Sequence, residues 1–457
     1  MLHSRLYELS SLACGDWPAN HPKLLRVLSE TERLTHDELE RDVLLHLQKL
    51  LEHAQAQVPY YRERLAAVVR VPLGELTRER YRELVPILTR AELQEHADAL
   101  RAKVVSPAHR GNGRVTTTSG STGRPIATEG TRVASALSAA QQERFHAWHA
   151  RDLDATTAFI TSPHVSKEGA RRAGWSVSGN GAAIEQSLLA PLSEQLAWLV
   201  RERPRYLVCY PSNLRALVRE SVARGVRPEG LHDVTVSSEP IGPELRELVA
   251  SAWGVPVVGT YSASEVGGIA LERPGESHYL VQAEFVLVEV LRDDDTACAP
   301  GEVGRVVVTA LHQALRPLVR YEIGDYARVE AVPERGLPRL GRVLGRERNM
   351  VTLPGGGEVW PFFELGELVA LRALKQWQLV QRSATAIEVR IVSDRSLTDA
   401  EQRTLSEVVH RCLPARFELT FRHVPFIPRS ASGKYEEFVN ATAASFADPL
   451  SEAPARG

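Results

Sequence analysis

No CxxC pair occurs in this 457-residue chain, whose four cysteines, Cys14, Cys209, Cys298 and Cys412, stand far apart. That scarcity argues against structural zinc and against a disulfide framework, and it suits a reducing, cytoplasmic setting. No apolar run approaches the ~20 residues that a membrane helix needs. The first twenty residues carry Arg5, Glu8 and Asp16 and lack the apolar core of a signal peptide. Charge of one sign is lacking as well. With 55 Lys and Arg against 57 Asp and Glu, the formal net charge of −2 offers no basic field for nucleic acid or anionic lipid. Neither nucleic acid nor a membrane is an expected partner, so any phosphate site must be local. What is present, 43% hydrophobic and 25% charged residues, is the composition of an ordinary globular protein. The length suits about two or three domains, and no internal repeat is visible.

The stretch richest in chemistry is Thr117-Thr118-Ser119-Gly120-Ser121-Thr122-Gly123-Arg124-Pro125. Hydroxyls and unhindered backbone N–H groups suit a polyphosphate, because glycine lets the backbone approach closely and form an anion-binding nest. It is not a P-loop, which ends Gly-Lys-Ser/Thr and opens a helix. Taken alone, such a segment reads equally well as a flexible polar turn.

The hydrophobic pattern divides the rest. Leu39, Val43, Leu44, Leu47, Leu50 and Leu51 recur at helical spacing, and Thr89-Arg90-Ala91-Glu92 is a capping box that predicts a helix through Leu93 and Ala97. From about residue 155, short β-branched runs (157–161, 206–210, 234–237, 255–260) alternate with helical segments (192–200, 214–223). That alternation predicts an α/β arrangement with mostly parallel strands, whose ligands gather at the carboxyl ends. Residues 285–291 and 305–311 predict a small antiparallel β element. Beyond Arg348 a compact α+β unit is expected, with strands at 377–380, 387–392 and 418–423 and a helix opened by Thr398-Asp399-Ala400-Glu401. The tail 447–457 reads as disordered.

Four more motifs follow the loop in order: Tyr261-Ser262-Ala263-Ser264-Glu265, Tyr321-Glu322-Ile323-Gly324-Asp325, Gly345-Arg346-Glu347-Arg348, and Ser430-Ala431-Ser432-Gly433-Lys434. The series resembles the adenylate-forming superfamily of acyl-CoA synthetases, luciferases and peptide-synthetase adenylation domains. Pro59-Tyr60-Tyr61-Arg62, Ser238-Glu239-Pro240 and Leu344-Gly345-Arg346 make it most similar to the phenylacetate–CoA ligase branch. The resemblance spans roughly residues 40–440.

It implies a large ATP- and acid-binding domain, 1–345, and a small mobile domain, 346–457, that brings a catalytic lysine. The implied activity is ATP- and Mg²⁺-dependent activation of a small carboxylic acid, expected to be aromatic, as an acyl-adenylate. Transfer to coenzyme A would follow, with a carrier-protein thiol or an amine as the alternative acceptor. Thr118, Ser119, Gly120, Ser121, Thr122 and Gly123 would cradle the β- and γ-phosphates. Glu265 would hold magnesium, and Ser264 would lie near the α-phosphate. Tyr261 would pack on adenine beside Ser238, Glu239 and Pro240, while Asp325 and Arg346 would meet the ribose. Lys434 would bridge acid and α-phosphate, and Arg348 would be the hinge. His164, Tyr210, Ser212 and Ser237 would line the acid pocket.

Several positions depart from the family pattern. Arg124 stands for a common lysine, Ser264 for threonine, Thr260 for Asp or Asn, and Arg348 for Asp or Lys. Taken singly, Asp325 reads as a turn residue, Lys434 as a solvated loop cation, and Lys167, Arg171 and Arg172 as a charged surface loop. His146 and His149 have metal spacing without an evident third ligand, so a solvated helix face is expected there. Two rival functions are a nucleotide-binding scaffold without catalysis, opposed by Glu265 and Lys434, and a P-loop phosphotransferase, opposed by the missing Gly-Lys-Ser/Thr.

Overall fold

The computed structural model describes residues 4–117, 126–161, 171–173, 175–276, 278–346, 351–356, 358–359, 374–413, 415–428, 438–442 and 450. Contacts divide the chain into two units. The first comprises Met1–Thr156, Arg172–Ala183 and Val258–Val343; the second comprises Thr157–Arg171, Ile184–Val257 and Leu344–Gly457.

In the first unit the helix His36–Gln57 opens with a complete capping box, Thr35 to Glu38. Its Leu39, Val43, Leu47, Leu51 and Ala54 are buried on one face, as their spacing predicts. Each such leucine contributes about 1.5–3 kcal/mol by leaving water. The Thr89 box opens the helix Arg90–Glu95, which stops at His96, short of the expected Ala97. Strands run in the order Val286–Leu291, Val303–Ala310, Tyr321–Val329, Arg339–Arg346, Tyr279–Val281, Gly267–Glu272, Val257–Ala263. Val286–Leu291 pairs with Val303–Ala310, Val303–Ala310 with Tyr321–Val329, Arg339–Arg346 with Tyr279–Val281, and Gly267–Glu272 with both Tyr279–Val281 and Val257–Ala263, all antiparallel, so the expected antiparallel element belongs to a much larger array.

Two bulges interrupt that array. Tyr326 pairs with Arg305 and Glu322 with Val307, so residues 323–325 stand against Val306 alone. Tyr261 pairs with Ala270 and Ser262 with Gly268, leaving Ile269 as the extra residue. Gly324 takes φ +81, a left-handed conformation that costs glycine nothing sterically.

A separate hairpin pairs Gly111–Thr117 with Ala127–Thr131, Thr117 lying opposite Ala127. The expected phosphate loop, 118–125, falls between these two strands and outside the described residues.

In the second unit Thr157–Ile160, Tyr206–Cys209 and Asp233–Ser237 pair in parallel, as expected. The helices Leu192–Glu202, Pro211–Arg224 and Pro243–Trp253 bury Leu199, Leu214, Leu217 and Leu245 in a core with Leu207 and Val234. Pro211 starts its helix without an N–H to satisfy, and Gly225 ends it at φ +64. The second unit also holds a four-stranded sheet in the order Glu418–His423, Ala386–Ser393, Leu374–Gln381, Phe438–Asn440. The expected helix there is Asp399–Cys412, capped by the Thr398 box. Its Leu405, Val408 and Val409 meet Trp377, Leu379, Val389 and Ile391 in the core.

Candidate active site

Strand Val257–Ala263 ends one residue before Ser264, so Ser264 and Glu265 follow a strand end as expected. Ser264 is exposed, whereas Glu265 is buried. Glu265 Oε1 accepts from Arg90 Nη1 at 3.1 Å, and its backbone carbonyl accepts from Gln313 Nε2 at 2.8 Å. Tyr261 is buried, and its hydroxyl donates to Asp325 Oδ2 at 3.0 Å. Two motifs sixty-four positions apart in sequence thus meet through one hydrogen bond. Asp325 lies within strand Tyr321–Val329, in the bulge set by Gly324, and not in a turn. That bulge re-aims one side chain out of the regular alternation.

In the second unit Glu239, two residues beyond strand Asp233–Ser237, accepts from Ser212 N at 2.8 Å and from Ser212 Oγ at 2.9 Å. The segments Tyr210–Ser212 and Ser237–Pro240 are therefore tied together. Tyr210 is buried; Ser238 and Pro240 are exposed. Ser238 adopts φ +71, a strained conformation for a residue with a Cβ, of the kind found at functional sites. Burial, with a lesser push from Glu239, drives the Cys209 thiol far above its ordinary range, so it is no nucleophile.

Thr118 to Gly123, Arg124, His164, Lys167, Arg348 and Lys434 lie outside the described residues, as do the side chains of Arg171, Arg172 and Arg346. Strand Arg339–Arg346 ends on Arg346 itself. His146 and His149 are a correction. Both are buried: His149 Nε2 lies 3.0 Å from the Glu272 carbonyl, and His146 packs edge-on against Trp175. The face predicted to be solvated is a packed one, because Trp175 and Phe145 cover it.

Arg90 was not legible as a site residue. One signal was present: a basic residue in the first turn opposes the helix dipole, which implies a partner elsewhere. Among the described residues no three His, Cys, Asp or Glu side chains gather as a metal cage. The donor set suits magnesium nonetheless. A lone buried carboxylate with one oxygen committed to Arg90 leaves the other for a hard cation that takes its remaining ligands from phosphate and water.

Known proteins resemble this chain in sequence and in fold. A phenylacetate–coenzyme A ligase from Pseudomonas putida is 26% identical over 355 residues, covering 72% of this chain and 75% of the relative. In sequence the chain is thus similar to adenylate-forming acid–CoA ligases. A second phenylacetate–coenzyme A ligase, from Escherichia coli (strain K12), is 25% identical, with 72% and 76% coverage. A structure of 2-hydroxyisobutyryl-CoA ligase in the postadenylation state superposes with a TM-score of 0.72 at 18% identity, covering 90% of this chain and 91% of that one. The likeness shows that the adenylate-forming fold extends across nearly the whole chain. The CapK C-terminal domain family matches residues 367–441, in the carboxyl-terminal part of the chain. No described helix is long and apolar enough to cross a membrane.

Proposed function

We propose that this chain activates a carboxylic acid with ATP as an acyl-adenylate and transfers the acyl group to coenzyme A. A carboxylate oxygen attacks the α-phosphorus, and the bond from that phosphorus to pyrophosphate breaks. The thiolate of coenzyme A then attacks the carbonyl carbon, and AMP leaves with the bonding electrons. The observation that carries the reading is the Tyr261–Asp325 hydrogen bond beside a buried, cation-paired Glu265 in one unit. Tyr261 offers a flat face for a base and Asp325 an acceptor for ribose hydroxyls. Magnesium, held by Glu265, would neutralise phosphate charge when bound. Relatives support the acceptor: 2-hydroxyisobutyryl-CoA ligase has been seen with its acyl-adenylate and coenzyme A together.

An aromatic acid is the substrate class we favour, resting on the phenylacetate-specific names of the relatives. Residues 1–345 would bind ATP and acid, with the loop 118–123 on the phosphates and Arg346 on the ribose. Residues 346–457 would turn about Arg348 to deliver Lys434. His164, Tyr210, Ser212 and Ser237 would form the acid pocket.

The test is acid-dependent exchange of pyrophosphate into ATP across a panel of aromatic and aliphatic acids, with thioester formation measured after adding coenzyme A. Aromatic acids should turn over best; exchange with none of the acids would overturn the reading. In the same assay Lys434→Ala should lose about 10²–10³-fold, the usual effect of removing one preorganised charge contact. Near-full exchange in that variant would remove Lys434 from the reaction.

A further inference from the structure

Glu265 poses an electrostatic problem in the absence of a metal. Its side chain is 8% exposed, and a buried carboxylate needs a counter-charge. Arg90, 20% exposed, supplies one at 3.1 Å from a position 175 residues away in sequence.

Both partners are held from behind. The Thr89 amide and hydroxyl each donate to Glu92 at 2.9 Å, closing the capping box, and Arg64 also pairs with Glu92. Glu92 is therefore occupied by its helix cap and by Arg64 of another helix. Leu88 is clamped between the Arg320 carbonyl and the Glu322 amide at 2.8 and 3.0 Å. Arg320, buried and at φ +46, donates through Nη1 to the carbonyls of Arg82 and Val85. The segment 82–90 thus sits on a fixed support. Gln313 fixes the Glu265 backbone in the same way. The ion pair is preformed, and it engages Oε1; among the described residues, Oε2 takes no protein donor.

We propose that Arg90 is a guard cation: it neutralises Glu265 while the site is empty of nucleotide and admits a divalent cation only together with nucleotide phosphates. The inference rests on the reading of Glu265 as the metal-holding carboxylate. A free dication approaching Glu265 meets a fixed guanidinium within a few ångströms, and two like charges at such range repel strongly in a partly desolvated site. A metal arriving on a triphosphate brings its own negative charge, which offsets both cations at once. Glu265 then exchanges its partner without ever standing uncompensated. Metal and nucleotide binding become one event, which prevents idle occupation of the site by free magnesium.

The probe is Mn²⁺, titrated into the full chain and followed by the electron paramagnetic resonance signal of the free ion. Titrations are run alone and with an ATP analogue whose α,β-bridge is methylene. The parent should bind Mn²⁺ tightly only with the analogue. Arg90→Gln should bind free Mn²⁺ at least about tenfold more tightly than the parent, the size expected for removing a nearby unit charge after solvent screening. Arg90→Lys, which keeps the charge, should behave as the parent does.

Unchanged or weaker free-ion binding by Arg90→Gln would overturn the proposal and reduce Arg90 to an orienting partner. Should Arg90→Gln fail to melt cooperatively, the parent's own two titrations still decide, because equal affinity with and without the analogue is incompatible with a guard. Glu265→Gln separates the two levels. If it leaves analogue-dependent Mn²⁺ binding unaltered, the metal-holding role itself is wrong, and the guard falls with it.

Discussion

Glu265 and Glu239 each stand two residues beyond the end of a strand, yet they are held in opposite ways. Glu239 accepts two hydrogen bonds from the backbone and hydroxyl of one neutral residue, Ser212. Such bonds to a charged acceptor are worth about 1.5–3 kcal/mol each and fix the carboxylate as part of a wall. Glu265 has a cation on one oxygen and, among the described residues, no protein donor on the other. The cation on Glu265 can be exchanged for another at little net cost, whereas the Ser212 bonds tie Glu239 to a neighbouring segment. A carboxylate bonded to a backbone amide helps to hold two segments together; one balanced by a charge can exchange that charge for another.

The largest expected effect sharpens that contrast. Glu265→Gln should slow acid-dependent pyrophosphate exchange by about 10²–10³-fold, as loss of a charge contact at a reacting phosphate does. Glu239→Gln keeps an acceptor for the Ser212 amide, and it should lose far less. Measured side by side, equal losses would erase the distinction between the two glutamates.

The second expectation concerns pH and fixes where such assays can be run. His46 and His312 are buried with ring centroids 4.5 Å apart, and each Nε2 lies against a backbone carbonyl, of Leu311 and Glu284 respectively. Tyr7 and Phe285 pack against these rings, and His109, itself 3.7 Å from Cys14 Sγ, adds to the cluster. Burial pushes His46 down to about 4 from 6.5, against a lesser upward pull from the Leu311 carbonyl; His312 is driven down by burial and by His46. A folded-state value below the unfolded one means that stability is fully present above pH 6.5 and is lost as pH falls from there towards 4. For His46 alone this amounts to about 3 kcal/mol. Urea midpoints measured across that window should fall with acid, and His46→Gln, which can still donate to Leu311, should flatten the slope. A flat parent profile would show that the pair is not buried neutral.

The smallest effect is at Tyr261. Replacing it with Phe keeps the aromatic face and removes the donor to Asp325 Oδ2. A loss of about tenfold in kcat/KM for ATP follows from one hydrogen bond to a charged group. No change would mean that the pair is structural decoration around the strand end.

The sequence made the strand ends legible because apolar, β-branched runs stop where Tyr261, Glu265, Ser237 and Glu239 begin. The capping boxes at Thr89 and Thr398 were legible for the same local reason, since every group involved lies within four residues. Arg90's partnership with Glu265 was not, because nothing local encodes a contact between segments so distant. His146 and His149 were misread because a histidine's spacing on a helix says nothing about other segments, here Trp175 against His146 and the Glu272 carbonyl beside His149. The short pair Val351–Thr352 with Glu358–Val359 has too few residues to show alternation at all.

The bulge at 323–325 makes the position of Asp325 depend on the number of residues in its strand more than on their kinds. Side chains alternate along a strand, so losing one residue there would turn the whole following stretch, Tyr326 to Val329, onto its other face. Exchanges of side chain in this stretch leave the pairing register intact; a single-residue deletion does not. Inheritance should therefore tolerate substitution here and refuse changes of length, and the spacing between Tyr321 and Asp325 should vary less than the residues that fill it.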